Sequence, residues 1–234
     1  MNATFSARNV AGKFIVLDGI DGCGKSTQLH MLQTMLEQLG ATILCVREPG
    51  GTAIGEHIRE LLLSSKGEGL NMRAEMLLYM ASRAQLVGEK IGPALAAGQT
   101  VLSDRYVSST LAYQGSAGGL AIDSIMHVAQ AAVDGTWPDL TIILDLPLEK
   151  AMTRLQSPGK SARKKQAPQP GLFQDRIEQR QLNYHELVRQ GFLLQAKDYS
   201  DRYKVVSAIG TPEAVFQRVQ ARSMLAYGRG DTGR

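Results

Sequence analysis

Cysteine is scarce. Cys23 and Cys45 are the only two in 234 residues, which excludes a disulfide framework and fits a reducing, cytoplasmic setting. Histidine is also sparse: His30, His57, His127 and His185 stand apart, and none pairs with a cysteine at the spacing of a zinc site. No basic stripe interleaves with the few aromatics, so the net charge of +4 does not predict a nucleic-acid surface. Apolar runs of the ~20 residues needed to cross a bilayer are missing, so no membrane partner is expected. The first dozen residues lack the apolar stretch of a secretion signal and read as a short mobile extension over 1–12.

What the chain does have is an alternation of short apolar runs and amphipathic stretches, the pattern of a parallel sheet wrapped by helices. Strands are expected over residues 14–17, 42–46, 100–103, 140–146 and 204–206. Helices are expected over 25–39, 54–63, 122–134 and 212–227, with a short one from Leu148. A long helix should start at Asn71 as N-cap and run to about Ala97, divided by Gly88, Gly92 and Pro93. Residues 156–171 turn polar and proline-rich, cannot bury a core, and read as a mobile loop before a helix over 173–197. One domain over 13–227 follows, with a lid over about 156–174 and a flexible tail over 228–234.

Chemistry enters at Gly19-Ile20-Asp21-Gly22-Cys23-Gly24-Lys25-Ser26, which fits G-x-x-x-x-G-K-[ST] without a mismatch. An apolar strand precedes it, and a periodic helix carrying Thr27 follows. The glycines let backbone N–H groups turn inward around a phosphate, and the helix N-terminus adds a favourable dipole. Lys25 is placed for the β- and γ-phosphates of ATP and Ser26 for Mg²⁺. The fold class is therefore α/β of the phosphate-loop NTPase type, with a five-stranded parallel sheet. Cys23 is either a small residue that fits the loop or a thiol activated by the helix end. The N-K-x-D base-reading motif of switch GTPases is missing, so the acceptor side has to decide the function.

On that side stand Arg47-Glu48-Pro49-Gly50-Gly51-Thr52, AEMLLYMASR ending at Arg83, Asp104-Arg105-Tyr106 followed by SSTLAYQG, and DRIEQR from Asp175. Their order and joint spacing resemble the thymidylate kinases, which phosphorylate dTMP to dTDP with ATP, and the resemblance spans about residues 13–226. Tyr79 and Arg83 lie four apart on one helix, so a ring and a guanidinium project from one face. The ring, where the family usually has Phe, can stack on a pyrimidine while Arg83 donates to a carbonyl; the bland alternative for Tyr79 is a core aromatic. Asp104 closes an apolar strand, where a carboxylate approaches Mg²⁺, and Arg105 can clamp the acceptor phosphate. The resemblance implies that Glu48, Pro49, Ser109, Thr110, Tyr113 and Gln114 line the dTMP site and that Tyr113 disfavours ribose. It implies further that Arg59 lies near the acceptor phosphate, that Asp21 approaches the acceptor sugar and the reacting phosphates, and that the protein is a homodimer.

The family divides by where its mobile arginine sits. The phosphate-loop position used by one type is Gly22 here, so the resemblance assigns this chain to the bacterial type with the arginine in the lid. Arg163 is the leading candidate and Arg154 and Arg176 are alternatives, in a segment richer in lysine and proline than is usual. The catalytic set expected from all this is Lys25, Asp21, Arg105 and Arg163. Rival assignments are a kinase for another nucleoside monophosphate and a nucleotide-sensing ATPase.

Overall fold

A computed structural model of the chain describes residues 6–156 and 182–227. Five strands form one parallel sheet: β1 (Phe14–Asp18), β2 (Ile43–Arg47), β3 (Thr100–Asp104), β4 (Leu140–Asp145) and β5 (Tyr203–Ser207), in the order β2-β3-β1-β4-β5. Each strand lies within a residue or two of its expected place. β1 is central, with Leu17 opposite Asp104 on one side and Asp18 opposite Ile143 on the other. The loop after β1 thus opens between two strands at the carboxyl edge, where an open α/β sheet binds ligands.

Alternation along the strands builds two cores. Ile15, Leu17 and Leu102 point to one face and Phe14, Val16 and Val101 to the other, because successive side chains leave a strand on opposite sides. The first face is covered by α1 (Lys25–Gln38), α7 (Leu148–Gln156), α8 (Leu182–Asp198) and α9 (Pro212–Tyr227), which contribute Leu29, Leu32, Leu36, Phe192 and Val219. The second is covered by α3 (Met72–Leu86), α4 (Gly92–Ala96) and α6 (Ile122–Val133), through Met76, Met80, Leu86, Ile125 and Val133. Helix α2 (Ala53–Leu63) packs on α3, and the short α5 (Val107–Thr110) follows β3. No described helix is long and apolar enough to cross a membrane.

The long helix from Asn71 divides where glycine and proline predict. Asn71 Oδ1 accepts from Ala74 N at 2.9 Å as the N-cap, and α3 passes through one wide π-type turn, Val87–Ile91, before α4. Pro93 has no N–H to give to the preceding turn, which the wider turn accommodates. Residues 6–12 differ from the expected mobile extension. Val10 is fully buried, its carbonyl accepts from Thr100 Oγ1 at 2.6 Å, and Asn9 Nδ2 donates to the Tyr227 carbonyl at 3.0 Å. Burial of one aliphatic side chain contributes roughly 1.5–3 kcal/mol toward the ordering of this short segment, and the hydrogen bonds add to it. The expected lid over 156–174 lies, after its first residue, outside the described residues, as do the first part of the 173–197 helix and the tail.

Candidate active site

The loop after β1 is shaped by two close approaches. A Cβ on Gly19 (φ 138°) would stand 2.6 Å from the Leu144 carbonyl, and one on Gly22 (φ 79°) 2.7 Å from the Ala151 carbonyl. Only glycine fits either place. Lys25, at the first position of α1, folds back so that Nζ donates to the Gly19 and Ile20 carbonyls at 3.0 and 3.1 Å and stands 3.6 Å from Asp21. Thr27 is exposed on the same first turn. Cys23 is buried, and burial raises its thiol pKa against the opposing pull of Lys25 and Arg105. Of the two expectations for Cys23, the small fitting residue is the one the geometry favours.

Across the sheet edge, Ser26 Oγ donates to Asp104 Oδ2 at 2.9 Å, joining the helix start to the end of β3. Two hard oxygen donors at a phosphate loop suit Mg²⁺, which takes one or two protein oxygens and completes its shell with phosphates and water. Among the described residues no cluster of three His, Cys, Asp or Glu could hold a metal without such help.

Arg105, the next residue, has φ 75°, a left-handed backbone that a non-glycine residue adopts only when its surroundings impose it. Its N–H bonds the Leu17 carbonyl at 3.1 Å and its carbonyl accepts from Ser103 Oγ at 2.7 Å, which fixes both ends. The guanidinium then reaches back over the phosphate loop. Nη2 meets Asp21 Oδ1 at 2.5 Å and Nη1 meets Ser109 Oγ at 2.8 Å, the Gly19 carbonyl at 3.3 Å and Asp18 Oδ1 at 3.4 Å. The Tyr113 ring lies beneath it, 5.2 Å from the guanidinium carbon, with its hydroxyl 3.2 Å from Asp21 Oδ2. Burial alone would raise the Asp21 carboxyl, but Arg105 and then Lys25 hold it well below the usual range. Asp21 is therefore ionised at neutral pH and belongs to both the phosphate loop and the arginine.

The third cluster lies under the loop after β2. The Glu48–Pro49 peptide is cis, and Arg59 Nη1 donates to the Pro49 carbonyl at 2.8 Å. Arg83 is 1% exposed and binds Glu48 Oε2 through Nη2 at 2.6 Å and Nε at 2.8 Å, while Nη2 also reaches Thr110 Oγ1 at 3.3 Å. Its guanidinium stands 5.2 Å over the Tyr106 ring. Tyr79 is half-buried one helical turn before Arg83. Burial pushes Glu48 up to about 7 against the opposing pull of Arg83. Gln114 is anchored by Nε2 on Glu75 Oε1 at 2.8 Å, both residues being buried.

The expected residues thus gather at one edge of the sheet, with two refinements. The Ser109 hydroxyl is engaged with Asp18 (2.8 Å) and Arg105, and the Arg83 guanidinium is already paired with Glu48. Of the three candidate arginines, Arg163 and Arg176 lie outside the described residues. Arg154 stands on α7 and donates to the Cys23 carbonyl (3.4 Å) and the Ala208 carbonyl (3.0 Å), on the donor side of the phosphate loop. Sequence reasoning missed Asp18 and Ser108. A usable signal existed, because Asp18 closes β1 as Asp104 closes β3.

Comparison with known proteins agrees with this layout. The sequence model of the family described as "Thymidylate kinase" matches residues 17–219. The thymidylate kinase of Caldanaerobacter subterraneus is 41% identical over 208 residues, covering 89% of this chain and 93% of that protein. That of Syntrophotalea carbinolica is 43% identical over 206 residues, covering 88% and 92%. The crystal structure of thymidylate kinase from Ehrlichia chaffeensis superposes with a TM-score of 0.69 at 28% identity, covering 91% of this chain and 98% of that one. Sequence likeness over nearly the full length and a shared fold agree: the chain belongs to the thymidylate kinase family.

Proposed function

We propose that the protein transfers the γ-phosphoryl group of ATP to dTMP, giving dTDP and ADP. The observation that carries this is the Asp21–Arg105–Tyr113 contact, which ties the ATP-binding loop to the segment that would hold an acceptor phosphate. The nucleophile is a phosphate oxygen of dTMP, largely dianionic at neutral pH because its second pKa is near ~6. It forms a bond to the γ-phosphorus as the bond to the β,γ-bridging oxygen breaks and ADP departs. No strong general base is required, so the protein's part is positioning and charge neutralisation. Lys25 leaves the loop carbonyls for the ATP phosphates, and Nη2 of Arg105 exchanges Asp21 for the acceptor phosphate. Glu48, Arg83, Thr110 and Gln114 orient the base, with Tyr79 stacking on it; Pro49 and Arg59 complete the wall. Ser26 and Asp104 would hold Mg²⁺, which when bound neutralises charge on the ATP phosphates.

The same proposal keeps a mobile lid arginine, Arg163 first, to exclude water and cover the transferring group. It also includes a homodimer, since Ile54, Leu77 and Ile122 are large apolar side chains exposed on α3 and on the helices α2 and α6 that pack against it. Sedimentation at micromolar concentration is expected to give twice the monomer mass.

The test of the function is an acceptor panel with ATP and Mg²⁺. Transfer to dTMP is expected to exceed that to CMP and GMP by at least ~100-fold in kcat/KM, since a site built for a base's polar edge rejects analogues that leave it unpaired; dUMP shares that edge and lacks only a methyl, so its deficit is expected to be nearer ~10-fold. Excess EDTA should stop the reaction. Preference for any other acceptor would replace dTMP in the proposal.

A further inference from the structure

Asp18 closes the central strand and has no solvent exposure. It accepts four hydrogen bonds. Gly19 N (2.9 Å), Ser109 Oγ (2.8 Å) and Arg105 Nη1 (3.4 Å) meet Oδ1, and Ser108 Oγ (2.6 Å) meets Oδ2. Ser109 doubles the link, because its hydroxyl donates to Asp18 while accepting from Arg105 Nη1 at 2.8 Å. One carboxylate therefore grips the first N–H of the phosphate loop, the start of the helix that follows Tyr106, and one edge of the guanidinium.

The two acidic partners of Arg105 differ in kind. The Asp21 side chain is 25% exposed and sits on the loop that must rearrange around ATP, whereas Asp18 is locked at the end of a central strand. An incoming phosphate competes with Asp21 for Nη2. Nη1 is already taken by Ser109, the Gly19 carbonyl and Asp18. From this asymmetry we infer that Asp18 is a positioning residue for phosphoryl transfer, holding Arg105 by Nη1, directly and through Ser109, so that the Nη2 edge is presented to the acceptor phosphate.

The inference rests on the proposal that Arg105 clamps the acceptor. A planar guanidinium fixed along one edge binds an anion in a single orientation; released, it swings about its side chain, and misplacement of about 1 Å can cost on the order of 100-fold in rate. A merely structural role for Asp18 predicts something else: lower stability, and equal effects on both substrates.

The experiment is a kinetic double-mutant cycle with both substrates varied. Asp18→Asn is expected to lower kcat/KM for dTMP by about 30- to 100-fold while KM for ATP stays within about 2-fold. In an Arg105→Ala background the same substitution should change kcat/KM for dTMP by less than about 3-fold, since the residue it acts through is gone. If Asp18→Asn does not fold, Ser109→Ala removes the bridging hydroxyl and leaves the carboxylate; a loss of about 3- to 10-fold confined to dTMP is expected, and again none beyond Arg105→Ala. Independent, multiplying losses in the two backgrounds, or equal damage to ATP and dTMP, overturn the positioning role while leaving the acceptor assignment of Arg105 intact. An Arg105→Ala enzyme with unchanged dTMP kinetics overturns both.

Discussion

Lys25→Ala is expected to lower kcat by at least about 1000-fold, because removal of a single preorganised donor to developing charge commonly costs 100- to 1000-fold and Lys25 also supplies a full charge. Its side chain is 8% exposed, and its ammonium is held by the Gly19 and Ile20 carbonyls at 3.0 and 3.1 Å. Around the phosphate loop Lys25 and Arg105 face the ionised Asp21, while burial raises the pKa of the neighbouring Asp18. Deleting Lys25 removes one of the two positive charges at that site, which must then accept two anionic substrates. Loss of this charge weakens both binding and the transition state. Lys25→Arg is not expected to restore the rate, since the bulkier planar head cannot occupy a cavity lined by two loop carbonyls. The measurement is steady-state kcat in a coupled ADP assay, with thermal unfolding to show that the variant folds. Turnover within 10-fold of the unsubstituted enzyme would remove Lys25 from the phosphate-binding role.

Most of the fold was legible because its signals are local. An apolar strand, a glycine loop and a periodic helix are each written over a few residues, and Asn71 and Pro93 punctuate α3 and α4 by backbone chemistry alone. The site was legible where one residue type has one use, as with Lys25 and Ser26. It was less so where a role depends on long-range geometry. Asp18 reads as the end of an apolar strand, and only the register that sets Leu17 beside Asp104 brings it under Arg105. Arg83 reads as a free guanidinium on a helix face, yet the loop carrying Glu48 folds over it. Val10 reads as part of a short mobile extension, yet its carbonyl accepts from the hydroxyl of Thr100, ninety residues away. None of these pairings leaves a trace in periodicity or spacing.

The Glu48–Arg83 pair should produce the largest stability effect outside the phosphate loop. The two side chains are 3% and 1% exposed, so each ion has lost its water and keeps its charge because of the other. Breaking a buried pair from one side costs about 3–5 kcal/mol, because the remaining charge is stranded. Arg83→Leu is therefore expected to destabilise the protein by about that amount near pH 8, and to lower kcat/KM for dTMP far more than for ATP. The pH dependence follows from Glu48. Burial raises its pKa from an ordinary 4.5 to about 7, so the folded state binds the proton more tightly than the unfolded chain. This group's contribution thus favours folding most at low pH and weakens as pH rises from about 4.5 through about 7. Without Arg83 nothing opposes that burial, so the carboxyl holds its proton to higher pH and the deficit of Arg83→Leu should shrink at pH 5.5. Glu48→Gln supplies the control, because an uncharged amide leaves nothing to titrate: the protein's own fall in stability across this window should flatten in that variant. Denaturant unfolding of the three proteins at pH 5.5 and pH 8 decides the matter. An Arg83→Leu deficit of the same size at both pH values would show that Glu48 is not the group it strands, and that the arginine is held mainly by its contacts with Tyr106, Met80 and Thr110.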